Sequence, residues 1–189
     1  MALKGLKILI PMLVVVLAAP LAWAKKPVRK KPEPGCPAVE VRVGQSACYR
    51  LLPGGPHGRC EPQSLPYARC RSGVSSCRGN SELSPIGWYQ CEDSDHHVAT
   101  EPSPGCVLIL GNNANHRINT GHAFFVEKCR CLGPGRHELS LSHTNHDRRC
   151  SIETGVLAEY DQKSKTLTMK TGAWRTWGKD LKALGFIVK

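Results

Sequence analysis

Ten cysteines constrain this chain more than any other feature. They stand at positions 36, 48, 60, 70, 77, 91, 106, 129, 131 and 150, and the first 35 residues hold none. An even number of cysteines reads as a disulfide framework if the chain is exported, and as metal or redox chemistry if it stays in a reducing compartment. The first 24 residues, "MALKGLKILIPMLVVVLAAPLAWA", decide between these. Two lysines precede a short apolar run, and Ala22-Trp23-Ala24 supplies the small-x-small pattern that signal peptidase cleaves. The run from Ile8 to Leu21 contains Pro11 and Pro20 and is short for a bilayer span. Residues 1–24 are therefore expected to be a signal peptide, leaving a periplasmic or secreted protein with no stable membrane insertion after cleavage. No cysteine directly follows the cleavage site, so no lipoprotein anchor is expected.

Residues 25–35, "KKPVRKKPEPG", are basic, proline-rich and almost free of apolar side chains, the composition of an extended linker. Residues 36–189 have the length of one domain with a modest core. The whole chain carries a net charge of +11, of which the leader supplies Lys4 and Lys7. Anionic partners are expected: peptidoglycan or another acidic envelope polymer first, nucleic acid as a less favoured choice.

The local patterns predict an α+β domain. In "SLPYARCRSG", Pro66 near the start and Gly73 just past the end bracket a short helix with Ser64 at or near its N-cap. "AVEVRV" at 38–43 alternates as a strand does. "CVLIL" (106–110), "HAFFVE" (122–127), "ELSLSH" (138–143), "VLAEY" (156–160) and "TLTMK" (166–170) are short and β-favouring, with a hairpin around "DQKSK". One or two N-terminal helices followed by antiparallel strands give the expected architecture.

Three segments bring polar groups into an order that chemistry uses. Ser64 stands at a helix start, where capping is one role and nucleophilic attack another. His122 follows Gly121 and opens a strand, and His143-Thr144-Asn145 closes the next. A nucleophile at a helix N-terminus, then a histidine, then a polar orienting group is the order of papain-like hydrolases.

Read together, Gln63, Pro66-Tyr67-Ala68-Arg69, Ser72-Gly73, Arg78-Gly79-Asn80-Ser81, Trp88, Pro102-Ser103-Pro104-Gly105, Gly121-His122 and His143-Thr144-Asn145 resemble a CHAP domain, the cysteine- and histidine-dependent amidohydrolase/peptidase family. The resemblance covers residues 63–147. It implies a papain-like, CHAP-like α+β fold, short N-terminal helices packed on an antiparallel sheet, and descent from peptidoglycan amidases or endopeptidases. It also implies that Gln63 contributes to the oxyanion hole, that His122 is the base, and that Asn145 or His143 orients it. The family's nucleophilic cysteine aligns with Ser64.

That departure sets a chemical requirement. A thiol pairs readily with imidazole, whereas a serine needs the imidazolium stabilised as it forms, and removing the carboxylate from a Ser-His-Asp triad costs on the order of 10⁴ in rate. Glu127, five residues along the strand from His122, should face the other way. Asp147, past the strand end, stays open as a candidate. Cys60 is kept as an outside candidate for a displaced nucleophile, while Cys70 and Cys77 are expected in disulfides. "CRC" at 129–131, "HTNH" at 143–146 and Cys150 offer soft ligands without a paired C-x-x-C, so neither metal nor cofactor is assigned. The expectation is an exported cell-wall amidohydrolase or peptidase with Ser64 in the cysteine position. The alternatives are an inactive peptide- or cell-wall-binding module and a basic nucleic-acid-binding protein or nuclease.

Overall fold

A computed structural model describes residues 44–49, 63–77 and 84–189. The expected leader, the basic linker, the "AVEVRV" strand, Cys36, Cys60 and Arg78 to Ser81 lie outside the described residues. Those described belong to the compact unit Pro32–Lys189. Helices α1 (Gln45–Cys48), α2 (Ser64–Ser72) and α3 (Pro85–Ser94) precede strands β1 (Val98–Ala99), β2 (Val107–Leu110), β3 (His122–Gly133), β4 (Arg136–Thr144), β5 (Ile152–Asp161), β6 (Thr166–Met169) and β7 (Leu181–Ile187). No helix among the described residues is long and apolar enough to cross a membrane.

Both longer helices are bounded by local chemistry. Gly73 closes α2 in the left-handed conformation at φ 66°, its N–H bonded to Arg69 O. Ser84 caps α3 by accepting the Gly87 N–H, and Pro85 occupies the first helical position. Ser64 does not cap α2, contrary to one reading of the sequence. The N-cap is Gln63, whose side chain makes no capping bond, and Pro66, at N3, has no N–H to offer one.

The strands form an antiparallel sheet in the order β1-β7-β2-β3-β4-β5-β6, and a further β6–β7 pairing closes six of them into a barrel. The sequence suggested an antiparallel sheet, but closure depends on β7, whose Leu181 and Lys182 pair with Leu167 and Thr166. "LKALGFI" shows weak alternation, so nothing local marked it as the strand that joins the two edges. Full closure leaves the six strands few free edge groups to template pairing with another chain.

Strand alternation sorts the core into two layers. Leu108, Leu110, Phe124, Val126, Leu139, Leu141, Val156, Ala158 and Phe186 fill the barrel. From the opposite faces of β2, β3 and β7, Val107, Ile109, Ala123 and Ile187 meet Ala68 and Trp88 of the helices. β2 is thus covered on both sides, and "VLIL" reads as a continuous apolar run for that reason.

A closed polar ring fixes α2 on this scaffold. Arg71 donates to the Tyr67 hydroxyl at 2.9 Å and to Glu127 at 2.8 Å. Tyr67 donates to Ser142 Oγ at 3.0 Å, and Ser142 donates to Glu127 at 2.6 Å. The Arg71 guanidinium also lies 4.4 Å from the centre of the Phe125 ring. A fully buried carboxylate, Glu92, accepts from Trp88 Nε1 and Ser76 Oγ and ties α3 to the segment after α2.

Disulfides join Cys48 to Cys70 and Cys77 to Cys91, and Cys129 and Cys150 are each disulfide-bonded too. Cys70 and Cys77 are therefore oxidised, as expected. The framework does not take in every cysteine, because Cys106 and Cys131 are free thiols. Cys106 is sealed in the core, where burial pushes its thiol up to about 12.

Because Arg71 is 4 % exposed and its partner 22 %, Arg71→Ala should leave the Glu127 carboxylate with Ser142 as its remaining partner and take from the Tyr67 hydroxyl its donor. Losing a charge-assisted bond to a half-buried carboxylate costs about 1.5–3 kcal/mol. Chemical denaturation should register this loss, whereas Arg136→Ala, on the exposed rim, should change stability by less than about 0.5 kcal/mol.

Candidate active site

Ser64 is the first residue of α2 and is buried, and its hydroxyl accepts the Ala123 N–H at 3.3 Å. That bond places it beside the backbone of His122, the first residue of β3. His122 faces the barrel layer with Phe124, and Trp174 lies edge-on to its ring at 4.6 Å between centroids. Ser64 and His122 are not hydrogen-bonded to each other.

The glycine before His122 is required by space as well as by backbone. At φ 79°, a Cβ on Gly121 would fall on Leu110 O and 2.8 Å from Ile86 Cγ1. The Gly-His pair thus allows β3 to start tightly against β2 and α3, with the imidazole at the strand mouth.

A hydrogen-bonded chain leads from His122 through buried His143 to half-buried Glu153. His122 Nε2 lies 2.9 Å from His143 Nδ1, and His143 Nε2 lies 3.0 Å from Glu153 Oε2. The other Glu153 oxygen accepts the Ala173 N–H at 2.9 Å. The hydrogen bond from His143 keeps the Glu153 carboxyl below its usual range, with burial opposing it. Burial lowers the His143 pKa despite the neighbouring carboxylate. The pair is therefore a neutral imidazole donating Nε2–H to an ionised carboxylate.

The tautomers follow from that bond. With its proton on Nε2, His143 offers the Nδ1 lone pair to His122, which must carry its own proton on Nε2. His122 Nδ1 is left as an unprotonated nitrogen, and burial, followed by the nearby His143 and His146, lowers the ring's pKa well below its usual value.

His143, not Asn145, contacts His122. Asn145 sits in the left-handed region at φ 59°, and its side chain accepts the Cys150 N–H to hold the turn after β4. Gln63 immediately precedes Ser64 and is partly exposed. Glu127 is engaged by Arg71 and Ser142 on the helix side, as strand alternation suggested. Asp147 is used locally by Ser151 and the Arg149 amide.

The carboxylate that the sequence did not reveal is Glu153. It lies in β5 directly opposite His143, at a point where the β4–β5 register shifts between Leu141 and His143. Bulges of that kind re-aim a side chain, and no spacing in the sequence predicts them. Trp174, one of two tryptophans in "GAWRTWG", is buried and donates to His146 O. Trp177 stacks on it and on His116. A shallow cleft of about 120 Å³ opens beside His122, bordered by Arg117, His146, Arg148, Trp174 and Trp177.

No protein family, curated protein or solved structure matches this chain. The site must be read from its geometry.

Gly121→Ala should force β3 away from Leu110 and Ile86 at a cost of about 1–3 kcal/mol. Thermal unfolding measures the loss. Gly133→Ala, where a Cβ meets nothing within 4 Å, provides a comparison in which only the backbone conformation is strained.

Proposed function

We propose that this chain is an exported CHAP-like hydrolase that cleaves peptide amide bonds of the cell wall, with Ser64 in the position of the family's cysteine. One observation carries this reading: the chain His122–His143–Glu153 ends in a carboxylate and leaves His122 Nδ1 free to take a proton. A serine nucleophile needs a negative charge to stabilise the imidazolium, and Glu153 supplies that charge through one intervening imidazole.

In this mechanism Ser64 Oγ gives its proton to His122 Nδ1 and attacks the amide carbonyl. His122 then gives the proton to the leaving amine, and water releases the acyl-enzyme by the same route in reverse. His143 and Glu153 are positioning residues that fix the tautomer and stabilise charge on His122. In this reading Gln63 and the first turn of α2 supply the oxyanion hole, since a helix N-terminus favours developing negative charge. Arg117 and Arg148 on the cleft border, with the positive charge of the chain, suit an acidic wall peptide. The two assigned disulfides fit an oxidising compartment.

One observation favours a second reading, a cleft that binds the same peptides without cutting them. The Ser64 hydroxyl is already occupied by the Ala123 N–H and does not reach His122 here. Catalytic hydrogen bonds often tighten only when substrate is bound, so the two readings separate by experiment.

Purified peptidoglycan treated with the mature protein should release soluble fragments, and Ser64→Ala should abolish release. Glu153→Gln should lower kcat by up to about 10⁴ with KM little changed, by analogy with amide replacement of a triad carboxylate. Release by Ser64→Cys alone, with retained binding by the wild type, would support the binding module instead.

A further inference from the structure

His146 has no part in the chain above, yet its Nδ1 is buried without a hydrogen-bond partner. A buried polar nitrogen left unpaired costs about 1–3 kcal/mol, so its retention needs a reason. One donor atom from each of His143, His146 and Glu153 lies within 4.8 Å of the other two. The His143–Glu153 pair is already at 3.0 Å. In a tetrahedral zinc site with bonds of about 2.0–2.1 Å, donor atoms lie roughly 3.3 Å apart. Shifts on the order of 1 Å would bring the three into coordination. Two imidazoles and one carboxylate form a borderline donor set that suits zinc and disfavours calcium or magnesium. His146 also borders the open cleft, which gives an ion an entry path and a fourth position for water.

We propose that His143, His146 and Glu153 form a divalent zinc-class site whose occupation switches off the base function of His122. The switching half rests on the hydrolase reading, while the site itself does not. A metal on His143 Nε2 takes the lone pair of a nitrogen that now carries a proton. That proton must appear on His143 Nδ1, which then donates to His122 Nε2. His122 in turn moves its own proton to Nδ1, the position that has to accept from Ser64. No proton leaves the pair, but the base is masked. Arg148 on the cleft border opposes a cation electrostatically, and Glu153 is the only acidic member of the set.

Calorimetric titration of the untagged mature protein with zinc chloride should show one site per chain. His146→Ala and Glu153→Gln should each weaken binding at least tenfold, with circular dichroism showing that both variants fold. Cobalt in the same site should give a d–d spectrum without thiolate charge transfer, which separates it from a site at Cys131. No one-to-one site in the wild type, affinity unchanged in either folded variant, or a thiolate band would overturn the proposal. Where the mature protein releases peptidoglycan fragments, one equivalent of zinc should reduce release at least tenfold and a chelator should restore it; full activity in the zinc-loaded protein would overturn the switch. If no release occurs under any condition, the hydrolase reading fails, and the calorimetry still decides the metal site.

Discussion

The fold is held together by the ion pair of buried Arg71 and half-buried Glu127. An arginine on α2 and a glutamate on β3 meet at 2.8 Å, and Tyr67 and Ser142 complete the ring from α2 and β4. A helix and a strand pair roughly 50 residues further along the chain are fixed together by groups that would be costly to bury singly. The ring sits between the helix layer and the barrel, so it sets the height of α2 above β3. Ser64 lies two turns back along the same helix, and its contact with the Ala123 amide follows from that height.

On the other face of β3, the same strand carries His122 into a different environment. Strand alternation puts Ala123 and Phe125 under the helices and His122 and Phe124 toward the barrel. A single strand thus holds the Ser64 hydroxyl through its Ala123 amide on the helix side and carries an imidazole ordered from the barrel side. The ordering comes from Glu153, an ionised carboxylate whose hydrogen bond sets the tautomer of His143 and, through it, that of His122. The proposed zinc site uses the same property in the opposite sense, because whatever occupies His143 Nε2 decides which nitrogen of His122 bears the proton.

Much of this was legible in particular residues. Pro66 and Gly73 bracketed α2 because ring geometry and positive φ are local properties. "HAFFVE" marked a strand through its aromatic and β-branched side chains, "ELSLSH" through its leucine–serine alternation and "DQKSK" through its polar turn residues between two apolar runs, and Gly121-His122 marked a tight strand start. Ser64 as a cap was the local reading that failed, since the helix starts at Ser64 with Gln63 in the N-cap position and the Ser64 oxygen accepts instead from Ala123, 59 residues on. The disulfide framework expected from the cysteine count leaves out two thiols, Cys106, whose surroundings are core, and the partly buried Cys131.

The sequence by itself determined the α+β class, the order of Ser64, His122 and His143, and the oxidised state expected of most cysteines. These depend on turn chemistry, alternation and composition, which act over a few residues. Tertiary structure alone decided that the sheet closes through β7, that Asn145 holds a turn, and that Glu153 stands behind His143. Barrel closure and the placement of Glu153 depend on a register or bulge between paired strands, and register is set by packing across the whole barrel, while the Asn145 turn follows from where β4 ends and β5 begins.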